Sequence, residues 1–257
     1  MKLFHREVGN GPPLIMLHGL LGMSDNLMAA ARLLGHNNRV ILVDHRNHGR
    51  SGHDSVFGHG AMANDLLELL DQLSLSKVSI IGHSMGGKVA LKFAYDNPGL
   101  VNKLIVVDIS PAAYTSPVEH QVIIDQMIAM DLSQFSTRGE LEQAARQKFG
   151  GTFKEHLVLK NIIIDPHKTF AWKCNLKAIN ENLSKIMEEM LPVGKFEKST
   201  LFIKGQNSNY IQPRDKKLIE KHFSNVKIKT VSNAGHLVHS DNLAGFIKIV
   251  EDFLVMQ

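Results

Sequence analysis

The sequence predicts an α/β protein with a mostly parallel sheet, helices on both faces of that sheet and an inserted helical cap. Short apolar runs alternate with helix-length amphipathic segments along its 257 residues, as expected when parallel strands are buried on both faces. The alternation is interrupted once, over residues 112–194. Because 44% of the residues are hydrophobic, the chain can bury one large core, and we expect one main domain with an insertion.

Six apolar runs are the strand candidates, and each has the length of a buried strand. They are residues 14–17, 40–43, 78–81, 104–107, 201–203 and 226–231. The helical segments between and after them begin near Ser24, Ala61, Met85, Pro213 and Ser240. Right-handed crossovers would bring the carboxyl ends of the strands, and the loops that follow them, to one edge of the sheet. A functional site is therefore expected at that edge.

The interruption is predicted to be a helical cap. Apolar residues recur at helical spacing over residues 118–130, 140–149 and 176–190, and no strand of the main sheet is apparent between them. We therefore assign residues 1–111 and 195–257 to the α/β core and residues 112–194 to the cap. An insertion at this point would cover the carboxyl edge of the sheet.

Composition and charge favour a soluble, cytoplasmic protein. The net charge is +4, but the basic residues are spread along the chain, which is typical of a solvated surface and gives no indication of nucleic-acid binding. The N-terminus lacks the apolar stretch of a secretory signal, and no apolar run reaches the roughly 18 residues of a membrane span. The single cysteine, Cys174, has no partner for an intramolecular disulfide and is expected to be an inert thiol.

We expect neither a cofactor nor a metal. Residues 58–63 fit the dinucleotide pattern G-x-G-x-x-A superficially, but they lie well beyond the preceding strand instead of directly after it. The chain has no G-x-x-x-x-G-K-[ST] or H-E-x-x-H segment and no Cys/His cluster, so phosphate-loop and zinc chemistry have no support.

A nucleophile is predicted at Ser84. Residues 82–86 read Gly-His-Ser-Met-Gly and fit G-x-S-x-G between an apolar strand and a helix. Such a turn strains the serine backbone and requires small residues two positions away on each side, which Gly82 and Gly86 supply. The following helix would favour negative charge at its N-terminus. The alternative is an ordinary glycine-rich turn.

A serine nucleophile needs a base and a third group that holds the base. His236 follows the last apolar strand and precedes the final helix, so its loop should lie at the same sheet edge as Ser84. The chain has 14 histidines, and this position selects His236, with His239 as the alternative.

The acid is assigned to Asp108. The stretch before the histidine loop, where this kind of fold commonly has its carboxylate, carries the amides Asn207 and Asn209 instead. One strand earlier, residues 104–107 end in Asp108, which would lie beside the strand of the nucleophile. The alternative for Asp108 is an aspartate that caps its own loop.

An oxyanion hole completes the predicted site. One donor should be the backbone amide of Met85, directly after the nucleophile. The other should be the amide of Leu20, turned inward by a tight bend at Gly19, with His18 anchoring the loop. The polar segment 44–51, which reads DHRNHGRS, is expected to be structural and to satisfy its charges within its own loop.

With these residues, the chain resembles the α/β-hydrolase superfamily and, more narrowly, the YbfF-type bacterial esterases and their mitochondrial abhydrolase-domain relatives. The resemblance is carried by HGLLG at 18–22, DHRNHGRS at 44–51, GHSMGG at 82–87, VVDISPA at 106–112 and AGHLVH at 234–239. It implies an acid after the strand next to the nucleophile's, in agreement with Asp108. It also implies hydrolysis of short acyl esters and some acyl-CoA thioesters.

The predicted function is hydrolysis of short- to medium-chain carboxylic esters through an acyl-enzyme. Acyl-CoA thioesters are further candidate substrates. The expected partner is a small acyl substrate. Two alternatives stay open at this point. One keeps the site for other chemistry, as in C–C bond hydrolases, perhydrolases or lyases. The other is a noncatalytic protein that binds a ligand on a hydrolase scaffold.

Overall fold

A computed structural model describes residues 1–114, 118–150 and 153–255 of the chain. Its main feature is a seven-stranded sheet, and a separate two-stranded sheet lies in the insertion. The main-sheet strands are β1 (His5–Val8), β2 (Pro13–Leu17), β3 (Arg39–Val43), β4 (Val78–His83), β5 (Val101–Val107), β8 (Thr200–Gly205) and β9 (Val226–Val231), and the separate pair is β6 (Ile162–Ile164) and β7 (Phe170–Trp172).

The main sheet has the order β1-β3-β2-β4-β5-β8-β9. Strand β1 is antiparallel to β3, and the other neighbouring pairs are parallel. The six predicted strands are β2, β3, β4, β5, β8 and β9, so the prediction of a mostly parallel sheet is confirmed. The edge strand β1 was not predicted, because its sequence HREV is half-buried and has no apolar run.

Helices cover both faces of the sheet, as predicted. Alternate residues of β2 separate into two cores: Ile15 and Leu17 belong to one, and Leu14 and Met16 to the other, since successive side chains of a strand point to opposite faces. Helices α2 (His59–Gln72) and α3 (Met85–Asp96) contribute to the first core. Helices α1 (Met28–Leu34) and α11 (Leu243–Val255) contribute to the second.

The insertion, residues 112–194, joins β5 to β8, which are neighbours in the sheet with Val107 opposite Ile203. The chain therefore leaves the sheet from β5, next to the nucleophile's strand β4, and returns in β8, on the other side of β5. Its helices are α4 (Val118–Ile128), α5 (Arg138–Phe149), α6 (Phe153–Lys160), α7 (Leu176–Glu181) and α8 (Leu183–Met187). The remaining helices of the described core are α9 (Pro213–His222) and α10 (Val238–Asp241). The assignment of residues 112–194 to a separate domain stays a prediction.

Two details of the predicted helices were wrong. The segment 176–190 is not one helix: it breaks at Asn182, whose side-chain amide donates to Ala178 O and to Ser55 O of the core. Helix α6 and the β6–β7 hairpin were also not predicted. None of the helices in the described ranges is long and apolar enough to cross a bilayer.

Candidate active site

Ser84 lies between β4 and α3 in a strained turn. Its backbone angles are φ 53° and ψ −121°, a region that non-glycine residues rarely adopt. A Cβ atom at Gly82 would lie 2.2 Å from Gly86 O, and one at Gly86 would lie 2.6 Å from Leu17 O. Both distances are too short, so the turn requires glycine at these two positions, as predicted.

The two predicted oxyanion donors lie beside Ser84. A Cβ atom at Gly19 would lie 3.2 Å from Cβ of Ser84, so the bend at Gly19 brings the loop of Leu20 against the nucleophile. Leu20 and Met85 both line a cavity together with Ser84. Neither of their backbone amides donates to another backbone group in the described part of the chain. Their role as an oxyanion hole stays a prediction.

His18 anchors the Leu20 loop, as expected. Its Nδ1 donates to Gly19 O at 2.8 Å, and its Nε2 accepts from the His45 amide at 3.0 Å. Gly19 O also accepts from the Gly22 amide at 3.0 Å. Burial lowers the pKa of His18, which agrees with the neutral ring that these two opposite roles require.

The segment 44–51 holds the same loop in place through hydrogen bonds. The Asp44 carboxylate accepts from the amides of Ser24 and Arg50 at 2.6 and 2.9 Å, and His48 Nε2 accepts from the Leu21 amide at 3.1 Å. The structural role of this segment is therefore confirmed. The pairing differs in one respect: Arg46 binds Asp65 of α2 through two hydrogen bonds of 2.6 and 2.7 Å and does not pair within its own loop.

The structure brings Asp108 and His236 together. Asp108 Oδ2 lies 2.9 Å from His236 Nδ1, and Asp108 is fully buried, whereas the His236 side chain is 28% exposed. The end of β8 and the loop after it supply donors to this carboxylate: the Gly205 amide donates to Oδ1 at 3.0 Å, and the Ser208 hydroxyl donates to Oδ2. The loop that lacks an acid therefore supports the acid of the neighbouring strand.

The alternative base, His239, and the nearby carboxylate of Asp241 make other contacts. His239 is buried, and its ring packs against His83 with centroids 4.8 Å apart. Asp241 Oδ2 accepts from the Gly235 amide at 2.8 Å, so it fixes the histidine loop. His83 also fixes this loop, because its Nε2 donates to His236 O at 2.8 Å, and burial holds the pKa of His83 well below its usual value.

Tyr210 is a site residue that the sequence analysis missed. Its ring stacks on that of His236, with centroids 3.8 Å apart and planes 16° apart. Its hydroxyl lies 3.4 Å from His120 Nε2 in α4, and its carbonyl accepts from the Tyr114 hydroxyl at 2.7 Å. It follows β8 in a loop without a motif, so no signal in the sequence could have identified it.

The Ser84 hydroxyl makes no hydrogen bond to His236 within the described ranges. In enzymes of this kind that bond is often long before substrate binds. Proton transfer between Ser84 and Nε2 of His236 stays a prediction.

A family model described as the alpha/beta hydrolase fold matches residues 12–243. The chain belongs to this family. It is 36% identical to the sn-1-specific diacylglycerol lipase ABHD11 of Mus musculus over 95% of this chain and 81% of that protein. It is 30% identical to Esterase YbfF of Escherichia coli (strain K12) over 95% of this chain and 94% of that protein.

Among solved structures, a marine microorganism esterase superposes on this α/β-hydrolase chain with a TM-score of 0.95 and 37% sequence identity. The match covers 98% of this chain and 99% of that one. These relatives support an esterase or lipase activity of the α/β-hydrolase kind. They agree with the resemblance to YbfF-type esterases inferred from the motifs.

Two cavities of this α/β hydrolase meet at Ser84. The smaller has a volume of about 200 Å³ and the larger about 440 Å³. Both are lined by Leu20, Ser84, Glu119, His120 and Tyr210. The insertion thus contributes to the walls of both cavities, through Glu119 and His120 of α4.

Proposed function

We propose that this protein hydrolyses short- to medium-chain carboxylic esters through an acyl-enzyme on Ser84. The Ser84 hydroxyl attacks the ester carbonyl while His236 Nε2 takes its proton. His236 then gives that proton to the leaving alcohol. A water molecule, deprotonated by the same histidine, attacks the acyl-enzyme and releases the acid.

The observation that carries this proposal is the hydrogen bond of 2.9 Å between Asp108 and His236 at the edge of the sheet where Ser84 stands. A buried carboxylate at Nδ1 directs Nε2 away from itself and stabilises the imidazolium that forms during the reaction. Asp108 is itself held by donors from Gly205 and Ser208. The acid and the base thus support the proposal, and the transfer of the proton from Ser84 to His236 is part of what is proposed.

The amides of Leu20 and Met85 are proposed to hold the oxyanion. Met85 is the first residue of α3, where the helix dipole favours negative charge. Donors of this kind contribute a factor of about 10² to 10³ each in kcat. Because they are backbone groups, the side chains of Leu20 and Met85 are available to line the cavity.

Esters are proposed ahead of acyl-CoA thioesters. The larger cavity has one lysine among its lining residues, Lys154, and two carboxylates, Glu119 and Asp241. Such a lining offers little positive charge for the phosphates of coenzyme A.

The cytoplasmic location stays a prediction from the sequence.

Labelling with a fluorophosphonate tests the proposal. The wild-type protein should be labelled on Ser84, and Ser84→Ala should lose both the label and ester hydrolysis, with a fall in kcat of about 10⁴ or more. Asn207→Ala is a matched control, because the backbone amide of Asn207 donates to Ala234 O and the substitution keeps that bond. A folded Ser84→Ala protein with normal turnover would contradict the proposal.

A further inference from the structure

The two cavities at Ser84 differ in the residues that line them as well as in volume. His236 lines the larger cavity together with its neighbours Leu237 and His239. It does not line the smaller one, whose own lining residues include Met85, Lys88, Ile109 and Met187. The base and one proposed oxyanion donor therefore belong to different sides of Ser84.

This difference orients an ester in the site. In the proposed reaction, His236 protonates the leaving oxygen, so the alcohol must lie on the side of His236. The acyl carbon is bonded to Ser84, and its oxygen points to the Leu20 and Met85 amides. The acyl chain then extends away from His236, into the cavity lined by Met85.

Buried groups form part of the wall of the smaller cavity. Lys88 is 1% exposed, and its Nζ donates to the carbonyls of Ala112, Met187 and Glu188. Ile109 and Ile186, which also line the cavity, are 5% and 3% exposed. An acyl chain cannot pass this wall without breaking the contacts of a buried ammonium group, which is costly.

The volumes of the two cavities limit the size of the acyl group and of the leaving group. A cavity of about 150 Å³ lined by apolar side chains holds benzene, with six carbons, so about 200 Å³ holds an acyl chain of roughly eight carbons at most. The larger cavity has about 440 Å³, so it holds a group about twice as large as the smaller cavity does.

We propose that the smaller cavity binds the acyl group and the larger cavity binds the leaving group, so that the preferred substrates are esters of a short acyl chain with a large alcohol. This inference rests on the proposed function. It adds the orientation of the substrate and the asymmetry between its two halves.

Two isomeric esters test the orientation directly. Dodecyl butyrate and butyl dodecanoate have the same formula and similar hydrophobicity, but their long chains lie on opposite sides of the ester bond. We expect kcat/KM for dodecyl butyrate, measured by titration of the released acid, to exceed that for butyl dodecanoate by at least about tenfold, since even one misplaced methylene changes kcat/KM by about 10-fold or more. Equal values or the reverse order would overturn the assignment.

Two matched variants locate the preference. Met187 lines the smaller cavity and Leu157 the larger, and both are half-buried. Met187→Ala should extend the acyl side and lower the preference for dodecyl butyrate by at least about threefold, because it removes part of the wall. Leu157→Ala should leave that preference unchanged. A change in Leu157→Ala but not in Met187→Ala would reverse the assignment.

A wrong orientation of the substrate and a wrong function give different results. If Ser84 is labelled by a fluorophosphonate and both esters are cleaved with the opposite preference, the orientation is wrong and the proposed function stands. If Ser84 is not labelled and neither ester is cleaved, the proposed function fails, and the inference fails with it.

Discussion

Asp108 combines complete burial with a backbone that few residues adopt. Its φ is 49°, in the left-handed region that aspartate tolerates better than most side chains. Its carboxylate accepts from Gly205, Ser208 and His236. These three hydrogen bonds hold the Asp108 side chain in position, because each donor would lose its acceptor if the side chain turned away.

At the residue scale we predict that Asp108→Asn lowers kcat for ester hydrolysis by up to about 10⁴, the effect of replacing a triad aspartate by its amide. The amide keeps the shape but can favour the wrong histidine tautomer and cannot stabilise the imidazolium. Part of the loss should be recovered at high pH, where hydroxide replaces the histidine as base. Steady-state kinetics over a range of pH measures this.

Asn207→Ala and Asn209→Ala are the controls for this prediction, since these amides stand where the acid is more commonly found. They should reduce kcat far less than Asp108→Asn. A large loss in either control, together with a near-normal Asp108→Asn protein, would show that the acid assignment is wrong.

Residue identity allowed some of these assignments and not others. The choice of Asp108 followed from the absence of a carboxylate at residues 204–209, and His236 followed from its position before the last helix. The stacking of Tyr210 on His236 could not be foreseen, because it depends on how a loop without a motif folds over the sheet. Likewise, nothing in the sequence indicates that Ser208 donates to Asp108.

At the scale of elements, Lys88 of α3 joins the core to both ends of the insertion. Its Nζ donates to Ala112 O at 3.0 Å and to Met187 O at 3.4 Å, and it also donates to Glu188 O. Burial lowers the pKa of Lys88 to about 8. The two ends are also joined by hydrogen bonds from the Met190 amide to Pro111 O and from the Tyr114 amide to Met187 O.

We predict that Lys88→Met loosens this junction. Methionine fills a similar volume but leaves the carbonyls without their donor, and an unsatisfied buried carbonyl costs about 1–3 kcal/mol. The ends of the insertion should then open to water, and the amides of Tyr114 and Met190 should exchange with deuterium faster. Hydrogen exchange followed by mass spectrometry measures this.

The matched control is Lys92→Met, one turn further along α3. Lys92 pairs with Asp96 at the surface, and such pairs contribute little to stability. Exchange at the insertion ends should be unchanged in this variant. Equal protection of Tyr114 and Met190 in wild-type protein and Lys88→Met would contradict the clamping role.

Elements with a strong pattern were predicted, and those without one were missed. Strand β4 is buried at every position, so its apolar run is visible in the sequence, whereas β1 at the sheet edge begins with three polar residues in a row. The break between α7 and α8 depends on a hydrogen bond from Asn182 to Ser55, which are 127 residues apart. Local periodicity carries no information about such a contact.

At the scale of the whole molecule, the core contains a group of buried histidines that are held neutral. Burial lowers the pKa of each, to about 3 for His48 and His59 and about 4 for His239. The group comprises His18, His45, His48, His59, His83 and His239. Each must remain neutral in the folded state, although the same side chain in the unfolded chain takes up a proton near pH 6.5.

This group predicts a loss of stability in mild acid. Below pH about 6.5 the unfolded chain binds more protons than the folded protein, so the free energy of unfolding falls as pH falls, by up to about 1.4 kcal/mol per pH unit for each histidine. The loss continues until the pH reaches the lowered pKa values of the folded state. Urea unfolding between pH 7.5 and 5 should show a steep decrease in midpoint.

His59→Gln should make this dependence shallower, because it removes one buried histidine, whose Nε2 has no hydrogen-bond partner among the described residues. His36→Gln is the control: His36 is exposed, so the slope should not change. A urea midpoint that stays constant from pH 7.5 to pH 5 would contradict the neutral state of these buried rings.

The formation of an acyl-enzyme on Ser84 is the central claim, and rapid mixing with p-nitrophenyl butyrate followed by acid quenching tests it most directly. We expect a burst of p-nitrophenol equal to the enzyme concentration, and mass spectrometry of the digested protein should find the butyryl group on the peptide that contains Ser84. The adduct should be absent from Ser84→Ala. Steady hydrolysis with Ser84 unmodified, or a butyryl group on another residue, would contradict the account.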